Sequence, residues 1–93
     1  MTKSATPITA ISDSRKADLE GVRRFTLAMQ RKLAYKRRQG RYGWNTTVAS
    51  GWGCSVANLQ RMLLQHIKKG DPVDLANFCM MIWNRKHPRG LKP

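Results

Sequence analysis

The chain has 93 residues, with 18 Lys+Arg against 5 Asp+Glu, a formal net charge of +13 and a sequence pI of about 11.0. That length supports one domain with a small core, and 41% hydrophobic residues with three Trp, two Tyr and two Phe argue against a wholly disordered basic tail. The longest apolar run, Phe78 to Trp83, is six residues, too short for a membrane span, no basic stretch leads into an apolar one at the N-terminus as in a signal peptide, and Cys54 and Cys79 make neither a disulfide framework nor a zinc site. A large enzyme, a secreted mini-protein and a membrane protein are set aside, and a cytoplasmic protein with reduced thiols is expected.

Residues 1–12 are rich in Thr, Ser and Ala with no periodicity and read as a flexible tail. Asp13 or Ser14 offers a side-chain oxygen to cap a helix, and Asp18 and Glu20 follow near that start, where the helix dipole favours negative charge. The first helix is expected from about residue 14 to 38. Leu19, Val22, Phe25, Met29 and Leu33 recur at spacings of three and four and make one apolar stripe. Arg24, Arg31 and Arg38 fall largely on the other side, seven residues apart, a row of guanidinium groups about 10 Å from one another. Lys16, Arg23 and Lys32 flank it.

Residues 39–55 form a loop broken by Gly40, Gly43, Gly51 and Gly53. Arg41, Tyr42, Trp44 and Trp52 lie in it. Such aromatics next to basic residues either stack on unpaired bases or plug a small core from the loop side; the plug is the stronger reading for Trp44 and Trp52, and Tyr42 stays open. Ser55 is a good N-cap for a second helix to about Lys69, with Val56, Leu59, Met62, Leu63, His66 and Ile67 at helical spacing and Gly70 as a left-handed stop. A third helix starts with Asp71 as N-cap, Pro72 at its first position and Asp74 in its first turn, and runs to about Arg85. Its apolar residues cover most of its circumference, so it needs burial on several sides, by helix two, by helix one, or by a second copy in a homodimer through helix three. The expected fold is all-α: a 13–93 domain in which a helical hairpin (residues 55–86) has a long basic helix packed on it or projecting from it.

The charge is concentrated. Residues 15–41 hold ten of the 18 basic residues, opposed there only by Asp18 and Glu20. A solvated face normally mixes both signs, and this one has no acid after Glu20. Nucleic-acid phosphate is the commonest anion such a surface meets, followed by an acidic protein surface. The candidate contact residues are Arg23, Arg24, Arg31, Lys32, Lys36, Arg37, Arg38, Arg41, Tyr42 and Trp44. Catalytic groups are scarce: His66 reads as a core-edge residue, His87 lies at a fraying end, Cys54 lacks a partner base, and no phosphate-cradling GxxxxGK[ST] is present. Asp71 and Asp74 are explained as caps, so no catalytic residue, metal site or cofactor is expected.

One stretch carries a resemblance. Gly43-Trp44, the Leu59-Leu63-Leu64 helix and the run Gly70-Asp71-Pro72-Val73-Asp74-Leu75-Ala76-Asn77-Phe78-Cys79-Met80-Met81-Ile82 resemble small phage-encoded proteins related to the MazG-like all-α nucleotide pyrophosphohydrolases, over about residues 43–86. The resemblance implies an antiparallel helical pair assembling through apolar faces into a dimeric bundle, Mg²⁺-dependent cleavage of a nucleoside triphosphate, and a bacteriophage origin. The chain departs from that pattern where the paired glutamates belong: Asn58 to His66 holds no carboxylate and includes Arg61, and Asp74 alone matches an acid of the family. A cluster that poor in acids does not hold Mg²⁺. The reading is therefore a non-enzymatic phage accessory protein that binds DNA or RNA through a basic helix face with weak sequence specificity. The alternative is a phage-encoded inhibitor or modulator of a host DNA-processing protein, such as the recombination nuclease, docking on an acidic or DNA-binding surface.

Overall fold

The computed structural model describes residues 8–46 and 55–87. They form three helices and no strand: α1 (Ile8–Arg38), α2 (Val56–Ile67) and α3 (Pro72–Lys86). No helix among them is long and apolar enough to cross a membrane.

The hairpin forms for the reasons its sequence suggests. Ser55 has extended backbone angles and its hydroxyl accepts the Asn58 N–H at 3.1 Å, satisfying one of the donors a helix start leaves unpaired. The C-terminal end of α2 closes through Gly70, whose φ of 76° suits a residue without Cβ. One residue on, Asp71 accepts the Val73 N–H at 2.9 Å and Pro72 opens α3. With so short a turn, α2 and α3 run antiparallel and pack side by side.

Their seam is the core. Leu59 from α2 and Phe78 and Met81 from α3 are buried, and Leu33, Trp44, Met62, Leu63, Met80 and Ile82 pack around them. Each fully buried side chain of this size contributes about 1.5–3 kcal/mol. The His66 ring lies 4.9 Å from that of Phe78, and its Nδ1 is 2.9 Å from the Met62 carbonyl oxygen, so His66 is a core-edge residue. α3 is the central element. α2 covers one side and the C-terminal half of α1 another, with the buried Asn77 donating from Nδ2 to the Met29 carbonyl at 3.3 Å.

α1 differs from expectation at its start. It begins at Ile8 rather than near residue 14, so residues 8–12 are helical and not tail, and residues 1–7 lie outside the described residues. The run Ile8 to Ser12 holds no Gly or Pro, while Pro7 immediately precedes it, a residue type favoured at a helix's first position. Asp13 and Ser14 therefore sit in the second turn and cap nothing, and Asp18 and Glu20 are too far from the end to feel its dipole. The helix both packs and projects. Met29 and Leu33 dock on α3, but every residue from Thr9 to Leu27 is exposed, so Leu19, Val22 and Phe25 of the expected stripe are left largely to solvent. The molecule is accordingly drawn out, 61 × 28 × 24 Å.

Because Leu59 is fully buried and central, Leu59→Ala is expected to cost about 2–5 kcal/mol, read as a lower urea midpoint by circular dichroism. Leu64→Ala on the exposed side of α2 is expected to change it by less than about 0.5 kcal/mol.

Candidate nucleic-acid interface

The cationic half of α1 ends in a defined cap. Gly40, with φ of 83°, ends it in a left-handed cap: its N–H bonds the Arg37 carbonyl at 3.0 Å and the Arg41 N–H bonds the Lys36 carbonyl at 2.9 Å, the paired pattern that satisfies orphan carbonyls. Lys36, Arg37 and Arg38 lie in the last turn. The dipole there offers about half a negative charge, far too little to answer three cations.

Arg24, Arg31 and Arg38 are all exposed. At 100° and 1.5 Å per residue they stand along one side of α1 with a drift of about 20° per step, spanning about 21 Å. None lies within ion-pair distance of a carboxylate among the described residues. The Arg38 guanidinium sits 5.9 Å from the centre of the Tyr35 ring, a cation–π contact that leaves its charge in place. Neighbouring charges about 10 Å apart in water repel by only about 0.4 kcal/mol before salt screening, so the helix tolerates this row. Arg23 leans to Glu20 at 3.5 Å with both groups exposed, a pair of little energetic consequence.

Lys32 has a different place from the one expected of it. Its ammonium donates to Asp71 Oδ2 at 2.7 Å and lies 3.5 Å from Asp74 Oδ1, so its charge is answered inside the molecule. It clamps α1 to the first turn of α3 and leaves the contact row. The hydrogen bond to Asp71 is the main reason the Lys32 ammonium is held above its ordinary pKa. The same bond, with the Val73 N–H, holds the Asp71 carboxyl below its own. Capping alone, the sequence reading of these two acids, was incomplete. The available signal was position: Lys32 falls at the edge of the stripe between Met29 and Leu33, and Asp71 and Asp74 are the chain's only acids after Glu20. Lys36, on the docked side of α1, is partly buried.

Beyond Gly40 the chain turns back and makes a groove of about 320 Å³ lined by Leu33, Arg37, Arg41, Tyr42, Trp44 and Asn45. Trp44 packs against the core, and its carbonyl accepts from Arg85 Nη1 at 2.9 Å. It is the loop-side plug, partly buried. Tyr42 is half exposed, beside Arg37 and Arg41 in the groove wall. Trp52 and Cys54 lie outside the described residues.

Among the described residues no three of His, Cys, Asp and Glu come together as a metal-ligand set. His87 stacks on Trp83 with ring centres 4.8 Å apart. The arrangement is thus a row of three exposed arginines, continued at the helix end by Arg37, Arg41 and an exposed phenol. It can take several phosphates along a line and stack one base at its end. No protein-family model, curated protein or solved structure matches the chain.

The clamp fixes the pH response. Asp71, depressed in the fold, adds stability above its ordinary 3.8 that is lost as pH falls through the lower folded value. Lys32, raised in the fold, adds stability below its ordinary 10.5 that is lost as pH rises through the higher folded value. Thermal melts across pH are expected to show a plateau between these limits with a fall at each end, and Lys32→Met is expected to lower the plateau and shrink both falls. An unchanged profile in that variant would remove the clamp from the account.

Proposed function

We propose that the protein is a non-catalytic nucleic-acid-binding protein that engages the sugar-phosphate backbone through the Arg24–Arg31–Arg38 row. The observation that carries this reading is that the three guanidinium groups are exposed, share one side of one helix and, among the described residues, have no carboxylate within ion-pair distance. A duplex carries about one charge per 1.7 Å of axis over its two strands, so the roughly 21 Å length of the row contains about a dozen phosphates, and those on the facing side suffice for each arginine to find a partner. Such contacts position a protein without reading sequence, hence weak sequence preference. Arg37, Arg41 and Tyr42 extend the surface around the groove, where the phenol ring suits an unpaired base. Asp74, the one residue that matches an acid of the triphosphate-cleaving family, lies 3.5 Å from the Lys32 ammonium, which favours binding over hydrolysis.

Fluorescence anisotropy with a labelled duplex across a salt series is the check. Affinity is expected to fall by about 0.9 log units per log unit of salt for each phosphate neutralised, and each of Arg24→Ala, Arg31→Ala and Arg38→Ala to reduce that slope by about one unit while Lys68→Ala, outside the row, leaves it unchanged. Tyr42→Ala is expected to weaken single-stranded oligonucleotides by about 1–3 kcal/mol and duplex much less. No binding at low salt would overturn the proposal, and a slope indifferent to the three arginines would move the contact elsewhere.

A further inference from the structure

The projecting half of α1 poses a problem that the basic row does not solve. Thr9 to Leu27 is exposed throughout, and it displays Ile11, Leu19, Val22 and Phe25, with Ile11, Leu19 and Val22 each more than half exposed. A helix of this length without tertiary contacts is marginal in water, and Gly21 in its middle weakens it by about a further 1 kcal/mol. The pattern along one side of α1 is regular and runs from the exposed half to Met29, where the helix docks on α3. Positions 11, 15, 18, 22, 25 and 29 alternate by four and three, and they read Ile, Arg, Asp, Val, Phe, Met. That is the 3.5-residue repeat of a helix that pairs with another helix, interrupted by one basic and one acidic residue.

The charges select the partner. Residues 8–23 hold three acids and three bases, including every acid of α1, while residues 24–41 hold seven bases and no acid. Two such helices laid antiparallel about their neutral halves bring together residues whose numbers sum to 33. Ile11 then meets Val22 of the second copy, and Arg15 meets Asp18 of the second copy, each twice by symmetry. The two cationic halves point away from each other. A parallel pair would set Arg15 against Arg15 and Asp18 against Asp18, and would lay the cationic halves side by side. We infer that the chain forms a homodimer through antiparallel pairing of the projecting halves of α1, with a central layer of Arg15–Asp18 pairs between Ile11–Val22 layers.

This pairing stands apart from the proposed function, because the Arg24–Arg31–Arg38 row lies about half a turn around α1 from Val22 and Met29 and stays open in the dimer. It differs too from a dimer through α3, which α1 and α2 already flank. The contact is short, four aliphatic side chains with Phe25 at each end, so a dissociation constant on the order of micromolar is expected once the cost of association is met.

The test is light-scattering mass of the full chain, nuclease-treated, at concentrations from micromolar to hundreds of micromolar. The mass is expected to climb from 10.6 kDa towards twice that value. Arg15→Asp and Asp18→Arg each place like charges in both central pairs and are expected to raise the midpoint concentration by about tenfold or more. An equimolar mixture of R15D and D18R restores an opposite-charge pair at every position, so it is expected to dimerise as the unsubstituted chain does, and so is the chain carrying both substitutions. Both sites are exposed, and far-ultraviolet circular dichroism confirms that each variant keeps α2 and α3. A monomer throughout, a doubled mass that disappears with nuclease treatment, a dimer indifferent to both swaps, or swaps that weaken dimerisation without rescue on mixing would each overturn the inference.

Discussion

The meeting of Lys32 with Asp71 and Asp74 arranges much of this molecule. It ties the basic helix to the first turn of the central one. It also exhausts the acids: after Glu20 the chain has no others. Once Lys32 has taken both, the six remaining basic residues between Arg24 and Arg41 have no carboxylate from the C-terminal half to answer them. One short interaction thus helps dock α1 and leaves a concentrated positive surface without ion pairs to Asp71 or Asp74. Screened by salt, that surface costs the fold little, which is why so small a core tolerates it.

The division of α1 follows. Its C-terminal half is anchored by the clamp, by Met29 and Leu33 against α3, and by the cap at Gly40. Its N-terminal half extends beyond the hairpin with an apolar stripe and balanced charge. The two proposals divide along the same line: phosphate for the cationic half, another helix for the neutral one. Because stripe and arginine row lie on opposite sides, both can be engaged together. A dimer built this way would carry its arginine rows outward in opposite directions, and two weak electrostatic contacts would then act as one stronger one wherever a single nucleic acid spans both.

The hairpin was legible in the sequence because its signals are local. Ser55, Gly70, Asp71 and Pro72 each act on backbone within a few residues, and each takes the expected role. The stripe of α1 was legible as a pattern, but its partner was not. Periodicity reports that a face is apolar, never what covers it, and Leu19, Val22 and Phe25 stay exposed while Met29 and Leu33 are partly buried. The start of α1 was misplaced because Asp13 and Ser14 are good caps in the abstract, and an uninterrupted run of helix-compatible residues before them outweighs that preference. In the candidate interface, the exposure of Arg24, Arg31 and Arg38 followed from spacing. The loss of Lys32 to the clamp did not, because that contact joins residues far apart in sequence. Trp44 took the core role that a chain short of apolar mass imposes on a loop tryptophan.

The central claim is that the arginine row, and not the clamp lysine or the apolar surface of α3, receives the anion. Side-chain NMR titration with a short duplex reads this directly, by following the guanidinium Nε–H resonances of Arg24, Arg31 and Arg38 alongside the Lys32 ammonium and the Trp83 indole. The account expects the three arginine resonances to move together and saturate at one stoichiometry, with Lys32 and Trp83 unmoved. Shifts centred on Trp83 or Lys32, with the arginines silent, would contradict it.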